Sequence, residues 1–251
     1  MILFRNVDCL VGLKDLPARS VDLILTDLPF QSTNCHWDKK INLPPLFAEF
    51  NRVLKDRAAC VLFAQMPFAC ELVDASPIKF RYSWIWQKPL GTGFFNANKC
   101  PLRCYEMLLV FYRKLPTYNP QWLKGEPYAK HRQKHWHGVG VYNYATKRTD
   151  GSNDGEHFYP RDIITFPSVM TSGERRYHST QKPVALLEYI IKTYTNKGEL
   201  VLDATAGSGS TGVACINTGR GFVGFELDTD IYNAAKERID SAQVNRSQAL
   251  F

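Results

Sequence analysis

The chain has 251 residues, of which 45% are hydrophobic and 13% aromatic, and its formal net charge is +7. This length and composition allow a large buried core, either as one domain or as a domain with an insertion. No apolar run approaches the about 20 residues that cross a bilayer, which argues against a membrane protein. The positive charge favours a polyanionic partner.

The seven cysteines form no pattern that is typical of a disulfide framework or a zinc module. Their number is odd, no Cys-x-x-Cys occurs, and Cys100 and Cys104 come nearest to a metal-binding spacing. We therefore expect reduced, mostly buried thiols, no metal site and a cytoplasmic protein.

Short apolar runs alternate with amphipathic segments through the first part of the chain. The apolar runs predict strands at Ile2–Val7, Val21–Thr26, Ala58–Ala64, Phe80–Gln87 and Tyr105–Tyr112. Amphipathic periodicity predicts helices at Leu10–Leu16, after Pro44-Pro45 with Leu54 on its apolar face, and at Pro67–Ala75. Strands that alternate with helices indicate an α/β fold with a doubly wound, mostly parallel sheet.

A carboxylate, a rigid X-Pro step and an aromatic ring follow the strand Val21–Thr26, in Asp27-Leu28-Pro29-Phe30. In open α/β sheets, ligands bind at the C-terminal ends of the strands. A carboxylate beside an exposed ring can hold a flat, amino-bearing base, because the ring stacks on the base and the carboxylate accepts a hydrogen bond from the amine. Asp-x-Pro is also a common turn opener, so the tetrapeptide alone leaves a structural turn open.

The segment from Arg113 to Arg176 has little periodicity and is basic, with 11 Lys and Arg against 6 Asp and Glu. Aromatic residues such as Trp122 and Trp136 are interleaved with the basic ones. A long segment without predicted elements is usually functional or disordered, and its aromatic content argues against disorder. Basic residues mixed with rings suit phosphate contacts and base stacking. A plain surface insertion is the alternative.

The last third contains a second candidate site. A helix is predicted at Lys182–Thr195 and a strand at Glu199–Asp203, and the glycine-rich run Ala204–Gly212 follows them. A helix to Thr218, the strand Gly221–Glu226 and a terminal amphipathic helix complete the chain. The glycines fit G-x-G-x-x-G, and an acid ends the following strand. This combination favours a nucleoside-binding site over a structural turn.

A nicotinamide dehydrogenase is the obvious interpretation of such glycines, but their position argues against it. Only 39 residues follow Gly212, which is too few to complete a dinucleotide-binding sheet. The remaining strands must come from the N-terminal half. The Asp27 strand then lies in the same sheet, so that a nucleoside cofactor and a target base meet at one edge.

These motifs together resemble those of the β-class DNA amino-methyltransferases, in which the catalytic motif, the target-recognition region and the cofactor motif follow one another. Asp27-Leu28-Pro29-Phe30 resembles Asp-Pro-Pro-Tyr/Phe, and Ala206-Gly207-Ser208-Gly209 resembles Phe-x-Gly-x-Gly. His178-Ser179-Thr180-Gln181-Lys182-Pro183 resembles His-Pro-Thr-Gln-Lys-Pro, and Asp8-Cys9 matches an early Asp-Cys. The chain departs from the family pattern at Leu28, Ser179 and Ala206.

The resemblance implies a circularly permuted, Rossmann-like catalytic domain over residues 1–251, with an inserted target-recognition region at 114–176. It implies S-adenosyl-L-methionine as the cofactor and double-stranded DNA as the partner, and it leaves a homodimer open. The implied catalytic residues are Asp27, Leu28, Pro29 and Phe30. The implied cofactor-binding residues are Asp8, Cys9, Gln181, Lys182, Asp203, Ala206, Gly207, Ser208, Gly209, Thr211, Glu226 and Leu227. The residues predicted to contact DNA are Lys130, Arg132, Lys134, Trp136, Lys147 and Arg148.

In this resemblance, Asp27 and the Leu28 carbonyl accept the hydrogens of an adenine N6 amine, and Phe30 receives the flipped base. Cytosine-N4 members of the family usually carry Ser where Asp27 stands, which favours adenine. The alternatives are a cytosine-N4 or RNA methyltransferase on the same scaffold, a catalytically silent nucleic-acid-binding module and, third, the dehydrogenase.

Overall fold

The computed structural model describes residues 1–30, 40–124, 157–178 and 180–248. Its strands are β1 (Ile2–Asn6), β2 (Val21–Thr26), β3 (Leu54–Ala64), β4 (Phe80–Thr92), β5 (Arg103–Phe111), β6 (Leu123–Lys124), β7 (His157–Phe158), β8 (Ile163–Thr165), β9 (Leu200–Asp203) and β10 (Gly221–Glu226). Its α-helices are α1 (Cys9–Gly12), α2 (Leu43–Val53), α3 (Phe68–Ala75), α4 (Val169–Ser172), α5 (Val184–Tyr194), α6 (Ser210–Thr218) and α7 (Thr229–Gln248). None of the helices in these ranges has the length and apolar character to cross a membrane.

Chain contacts divide the protein into two compact units. Met1–Asn119 and Asp162–Phe251 form the larger unit, and Pro120–Arg161 forms the smaller one. Within the smaller unit, β6 and β7 form an antiparallel pair, and the rings of Trp122 and Tyr159 lie 4.4 Å apart.

In the larger unit, the described strands form one eight-stranded sheet in the order β1-β10-β9-β2-β3-β5-β4-β8. The pairs are parallel except those that β5 makes with β3 and β4. The predicted doubly wound, mostly parallel sheet is therefore confirmed. The catalytic strand β2 lies between β9 and β3, so the N-terminal and C-terminal parts of the chain build one sheet.

Both faces of the sheet are covered, which explains why its central strands are continuously apolar. In β2, Ile24 packs into the core on the side of α2 and α3, whereas Leu23 and Leu25 pack into the core that includes α5 and α6. All three side chains are fully buried.

The structure corrects several predicted boundaries. Leu54 was expected on the face of a helix, but α2 ends at Val53 and Leu54 begins β3. The three residues after Leu54 are charged and exposed. The first part of β3 therefore did not stand out as an apolar run in the sequence. Strand β4 continues to Thr92, five residues beyond its predicted end.

The stretch from Arg113 to Arg176 also contains elements that its weak periodicity did not reveal. Strand β8 pairs in parallel with β4 at the edge of the sheet, with Ile85 opposite Ile163. Helix α4 follows after a short loop. Both elements are short, so neither produces a pattern that can be recognised along the sequence.

Candidate active site

A cavity of about 530 Å³ lies beyond the C-terminal ends of β2, β9 and β10. This is the edge where open α/β sheets bind ligands. The structure brings fifteen of the sixteen predicted catalytic and cofactor-binding residues to its wall: Asp8, Cys9, Asp27, Leu28, Pro29, Phe30, Gln181, Lys182, Asp203, Ala206, Gly207, Ser208, Thr211, Glu226 and Leu227.

Gly209 is the one that does not line the cavity. Its φ of +73° is in the left-handed region that favours glycine. A Cβ at this position would lie 3.2 Å from Cβ of Ala235 and 3.0 Å from a side-chain carbon of Ile239, both on α7. The structure thus explains Gly209 by the close packing of α7, and its predicted role in cofactor binding stays a prediction.

The Asp27 side chain follows β2 directly and faces the cavity. Its backbone carbonyl accepts a hydrogen bond from the Thr205 hydroxyl at 2.9 Å, which ties the end of β2 to the loop after β9. Its carboxylate makes an ion pair with Lys182 through Oδ2. No hydrogen bond from the described residues reaches Oδ1. Burial raises the pKa of Asp27, and the Lys182 ammonium opposes that rise.

Lys182 was predicted to bind the cofactor, which stays a prediction, and its contacts in the described structure lie at the catalytic end of the cavity. Besides Asp27, its ammonium lies 3.5 Å from Oε2 of Glu106 and 5.0 Å from the ring centre of Phe63. Burial alone would lower the pKa of Lys182, but the two carboxylates reverse this effect and raise it. The lysine therefore stays charged.

Glu106 and Lys88 are site residues that the sequence analysis missed. Glu106 lies on β5 opposite Trp86 of β4, and it makes an ion pair with Lys88 across this hairpin. The one available signal was an acid next to the apolar run Met107–Phe111, because a charge there is costly unless it is paired.

Phe30 contributes an aromatic side chain to the cavity wall. Its ring is half-buried and packs against Phe68 of α3, with ring centres 5.1 Å apart and planes inclined by 31°. Leu28 is buried, whereas Asp27 and Phe30 are partly exposed and flank it at the cavity wall.

Glu226 and Asp203 end neighbouring strands on the other side of the cavity. Oε2 of Glu226 accepts a hydrogen bond from the Gly207 amide, and Oε1 accepts one from the Asp228 amide, both at 2.9 Å. The Thr211 hydroxyl donates to Asp203 at 2.6 Å. Burial raises the pKa of both carboxyls, that of Asp203 to about 6. The two acids thus fix the glycine-rich loop as well as facing the cavity.

The glycine-rich loop is also held by a residue that no sequence signal indicated. Arg238 of α7 donates hydrogen bonds to the Ser208 carbonyl at 3.0 Å and to the Ser210 hydroxyl at 2.9 Å. Its guanidinium lies 4.8 Å from the ring centre of Tyr177. Gln181 holds the segment that contains Tyr177, because its side chain accepts a hydrogen bond from the Tyr177 amide at 2.8 Å and donates one to the Arg175 carbonyl.

Asp8 and Cys9 close the cavity near the end of β1. The Asp8 carboxylate caps α1 by accepting a hydrogen bond from the Leu10 amide at 2.8 Å. Burial raises the pKa of the Cys9 thiol to about 12, so this cysteine is a packed, unreactive group.

The six residues predicted to contact DNA lie outside the part of the chain that the structure describes: Lys130, Arg132, Lys134, Trp136, Lys147 and Arg148.

Comparison with known proteins gives a consistent result. A protein family described as DNA methylase matches residues 21–237. The chain is 30% identical to the DNA adenine methyltransferase YhdJ of Escherichia coli, over 97% of this chain and 84% of that protein. It is 32% identical to the Type II methyltransferase M2.MboI of Moraxella bovis, over 92% of this chain and 85% of that protein. The solved structure of the M1.HpyAVI–SAM complex superimposes with a TM-score of 0.65 and 24% identity, covering 96% of this chain and all of the other.

Proposed function

This chain belongs to the DNA methylase family as an S-adenosyl-L-methionine-dependent methyltransferase, and we propose that it methylates the N6 amine of adenine in double-stranded DNA. The observation that carries the proposal is the buried carboxylate of Asp27 at the same cavity as the glycine-rich loop. In this arrangement, a methyl acceptor and a methyl donor can be held side by side.

The wall of the cavity fits the cofactor. About 530 Å³ is within the usual range of small-molecule sites, about 300–1,000 Å³. At Gly207 the nearest atom to an added Cβ is 4.0 Å away, so a side chain there would project into open space that a ligand can use. Glu226 adds a carboxylate with acceptor capacity for hydroxyl groups. When bound, S-adenosyl-L-methionine supplies an electrophilic methyl group.

The residues around Asp27 perform the remaining steps. An adenine amine is a poor nucleophile, because its lone pair is delocalised into the ring. Oδ1 of Asp27 and the Leu28 carbonyl accept the two amine hydrogens and so free the lone pair for attack. The ring of Phe30 stacks on the flipped base. Holding the two reactants in line supplies much of the rate acceleration.

The target-recognition region at residues 114–176 is part of the same proposal. Its basic and aromatic composition supports contacts with phosphates and unstacked bases. We assign Lys130, Arg132, Lys134, Trp136, Lys147 and Arg148 to this role. We place the enzyme in the cytoplasm with its DNA, and sedimentation at several concentrations tests for the homodimer.

The decisive experiment is mass analysis of nucleosides from DNA treated with the purified protein and labelled cofactor. We expect N6-methyladenine from the parent chain and none from Asp27→Ala. N4-methylcytosine would replace this proposal with the cytosine alternative, and transfer to RNA alone would replace the substrate.

A further inference from the structure

Four charged side chains meet at the catalytic end of the cavity. Lys182 makes an ion pair with Asp27, and its ammonium lies 3.5 Å from Oε2 of Glu106. Glu106 also pairs with Lys88. The side chains of Lys182 and Glu106 are each 10% exposed, that of Lys88 is 15% exposed and that of Asp27 is 23% exposed. Two ammonium groups and two carboxylates therefore form an electrically neutral array that is largely removed from solvent.

Acceptor atoms remain unused within this array. Among the described residues, neither Oδ1 of Asp27 nor Oε2 of Glu106 accepts a hydrogen bond, although both are buried. Unused buried acceptors are rare. Oε2 of Glu106 faces the Lys182 ammonium at a distance just beyond a good hydrogen bond. A small movement of the ammonium would thus strengthen its contact with Glu106.

The contacts of Lys182 indicate that it orients the Asp27 carboxylate. We propose that Lys182 is a positioning residue for methyl transfer, and that Glu106, anchored by Lys88, holds its ammonium against Oδ2 of Asp27, so that Oδ1 is left without a competing donor and can accept from the target amine. This inference rests on the proposed function.

Methyl transfer requires only the cofactor, the target amine and the Asp27 carboxylate as proton acceptor. The amine nitrogen forms its bond to the methyl carbon as the bond between that carbon and sulfur breaks, and the electron pair of the broken bond stays on sulfur. One amine proton then moves to Oδ1 of Asp27. Lys182 keeps its protons throughout. Its positive charge stabilises the ionised form of the Asp27 carboxylate until the amine proton arrives.

The test is the pH dependence of kcat in Lys182→Met, Lys182→Arg and Glu106→Gln. Without the ammonium, burial acts unopposed on Asp27, so its pKa rises and the acidic limb of the profile moves to higher pH. In Glu106→Gln the amide oxygen still faces the Lys182 ammonium and keeps it in place, whereas a neighbouring negative charge is lost, so the limb moves to lower pH. Lys182→Arg keeps the charge and the parent's limb.

Other titratable groups also face this pair, namely Lys88 on β4, His178 in the loop before α5, and Asp203 on β9. They are unchanged in all three variants. We expect kcat to fall about 10- to 100-fold in Lys182→Met, less than the about 10²–10³ typical of losing a transition-state partner itself. Calorimetry should show that its cofactor affinity equals the parent's.

Matched controls come from Lys192 and Glu188, which pair at 3.5 Å on the surface of α5. Lys192→Met and Glu188→Gln should keep the kcat and the pH profile of the parent. If Lys182→Met does not fold, the other two variants provide the test. A limb at lower pH in Glu106→Gln together with the parent's limb in Lys182→Arg supports the inference, and any other result overturns it.

If the acidic limbs of Lys182→Met and Glu106→Gln stay at the parent's pH or move in the same direction, this inference is overturned. Weaker cofactor binding by Lys182→Met would show instead that Lys182 contacts the cofactor, as the sequence predicted. If the parent forms N6-methyladenine while the limbs do not separate, only this inference fails. If the parent forms none, the proposed function itself fails.

Discussion

Replacing Asp27 by alanine separates catalysis from cofactor binding in a measurable way. The variant loses the acceptor for charge that develops on the amine, and such a loss typically costs about 10²–10³ in rate, or about 2.7–4 kcal/mol. The side chain of Asp27 pairs with Lys182, whereas the glycine-rich loop is held by Glu226 and Arg238. We therefore expect kcat to fall by this factor while S-adenosyl-L-methionine binds as before.

The same change also affects stability, because Lys182 loses its main partner. Removing one member of a buried ion pair costs about 3–5 kcal/mol. Glu106 lies 3.5 Å from the ammonium and takes over part of this role, so the free energy of unfolding should fall by less than that range. Asp27→Asn leaves an amide oxygen beside Lys182 and should be the more stable of the two variants.

The assay is single-turnover transfer of labelled methyl groups to double-stranded DNA, well below the unfolding temperature, together with calorimetric titration of the cofactor. Asp15→Asn is the control, since this exposed acid pairs with Arg5 at 2.7 Å and neither residue lines the cavity. Near-parent turnover by Asp27→Ala would falsify the proposed role of this carboxylate.

Other parts of the site give separate predictions. Gly207→Val should abolish cofactor binding, because it fills the open space at this backbone position and because the φ of +50° at Gly207 disfavours a β-branched side chain, and unchanged affinity in calorimetry would contradict the assignment. Phe30→Ala should weaken DNA binding by roughly 1–3 kcal/mol of base stacking, with partial rescue by a mismatched target that flips more easily; equal losses on both substrates in a binding titration would count against stacking. Burial raises the pKa of Asp203 to about 6 from its ordinary value of 3.8, so the folded state binds the extra proton and the free energy of unfolding should fall as pH rises from about 4 to about 6; denaturant unfolding of Asp203→Asn should lack this fall. Replacing Lys130, Arg132 and Lys134 by alanine should weaken DNA binding and flatten its dependence on salt concentration. If the slope of log affinity against log salt equals the parent's, these residues do not contact the DNA.

The sequence predicted those parts of the molecule whose signals are local. The bounds of β2 and β10 were predicted as observed, because each is a short apolar run with an acid at its end, Asp27 directly after β2 and Glu226 as the last residue of β10. The placement of Asp27 and Glu226 at one cavity followed from the rule that parallel strands present their C-terminal ends at one edge.

The sequence could not reveal contacts between distant segments. Lys182 stands in a motif that suggests the cofactor, but its ammonium pairs with an acid 155 residues earlier. Glu106 meets Lys88 only because β4 and β5 pair in register. Arg238 lies in a polar helix, and nothing in its neighbourhood indicates that it holds a loop 30 residues earlier.

The position of β2 between β9 and β3 also has a consequence for how the enzyme folds. The hydroxyls of Thr26 and Thr205 lie 2.9 Å apart but are separated by 179 residues. The entropy of closing so long a loop must be overcome before the two halves of the site meet, and such long-range contacts slow folding. In refolding experiments, methyl transfer should therefore recover later than the circular dichroism signal of the helices, and simultaneous recovery would argue against late assembly. Because Asp27 follows β2 and the glycine-rich loop follows β9, the acid and the donor site come together only when these two strands have paired.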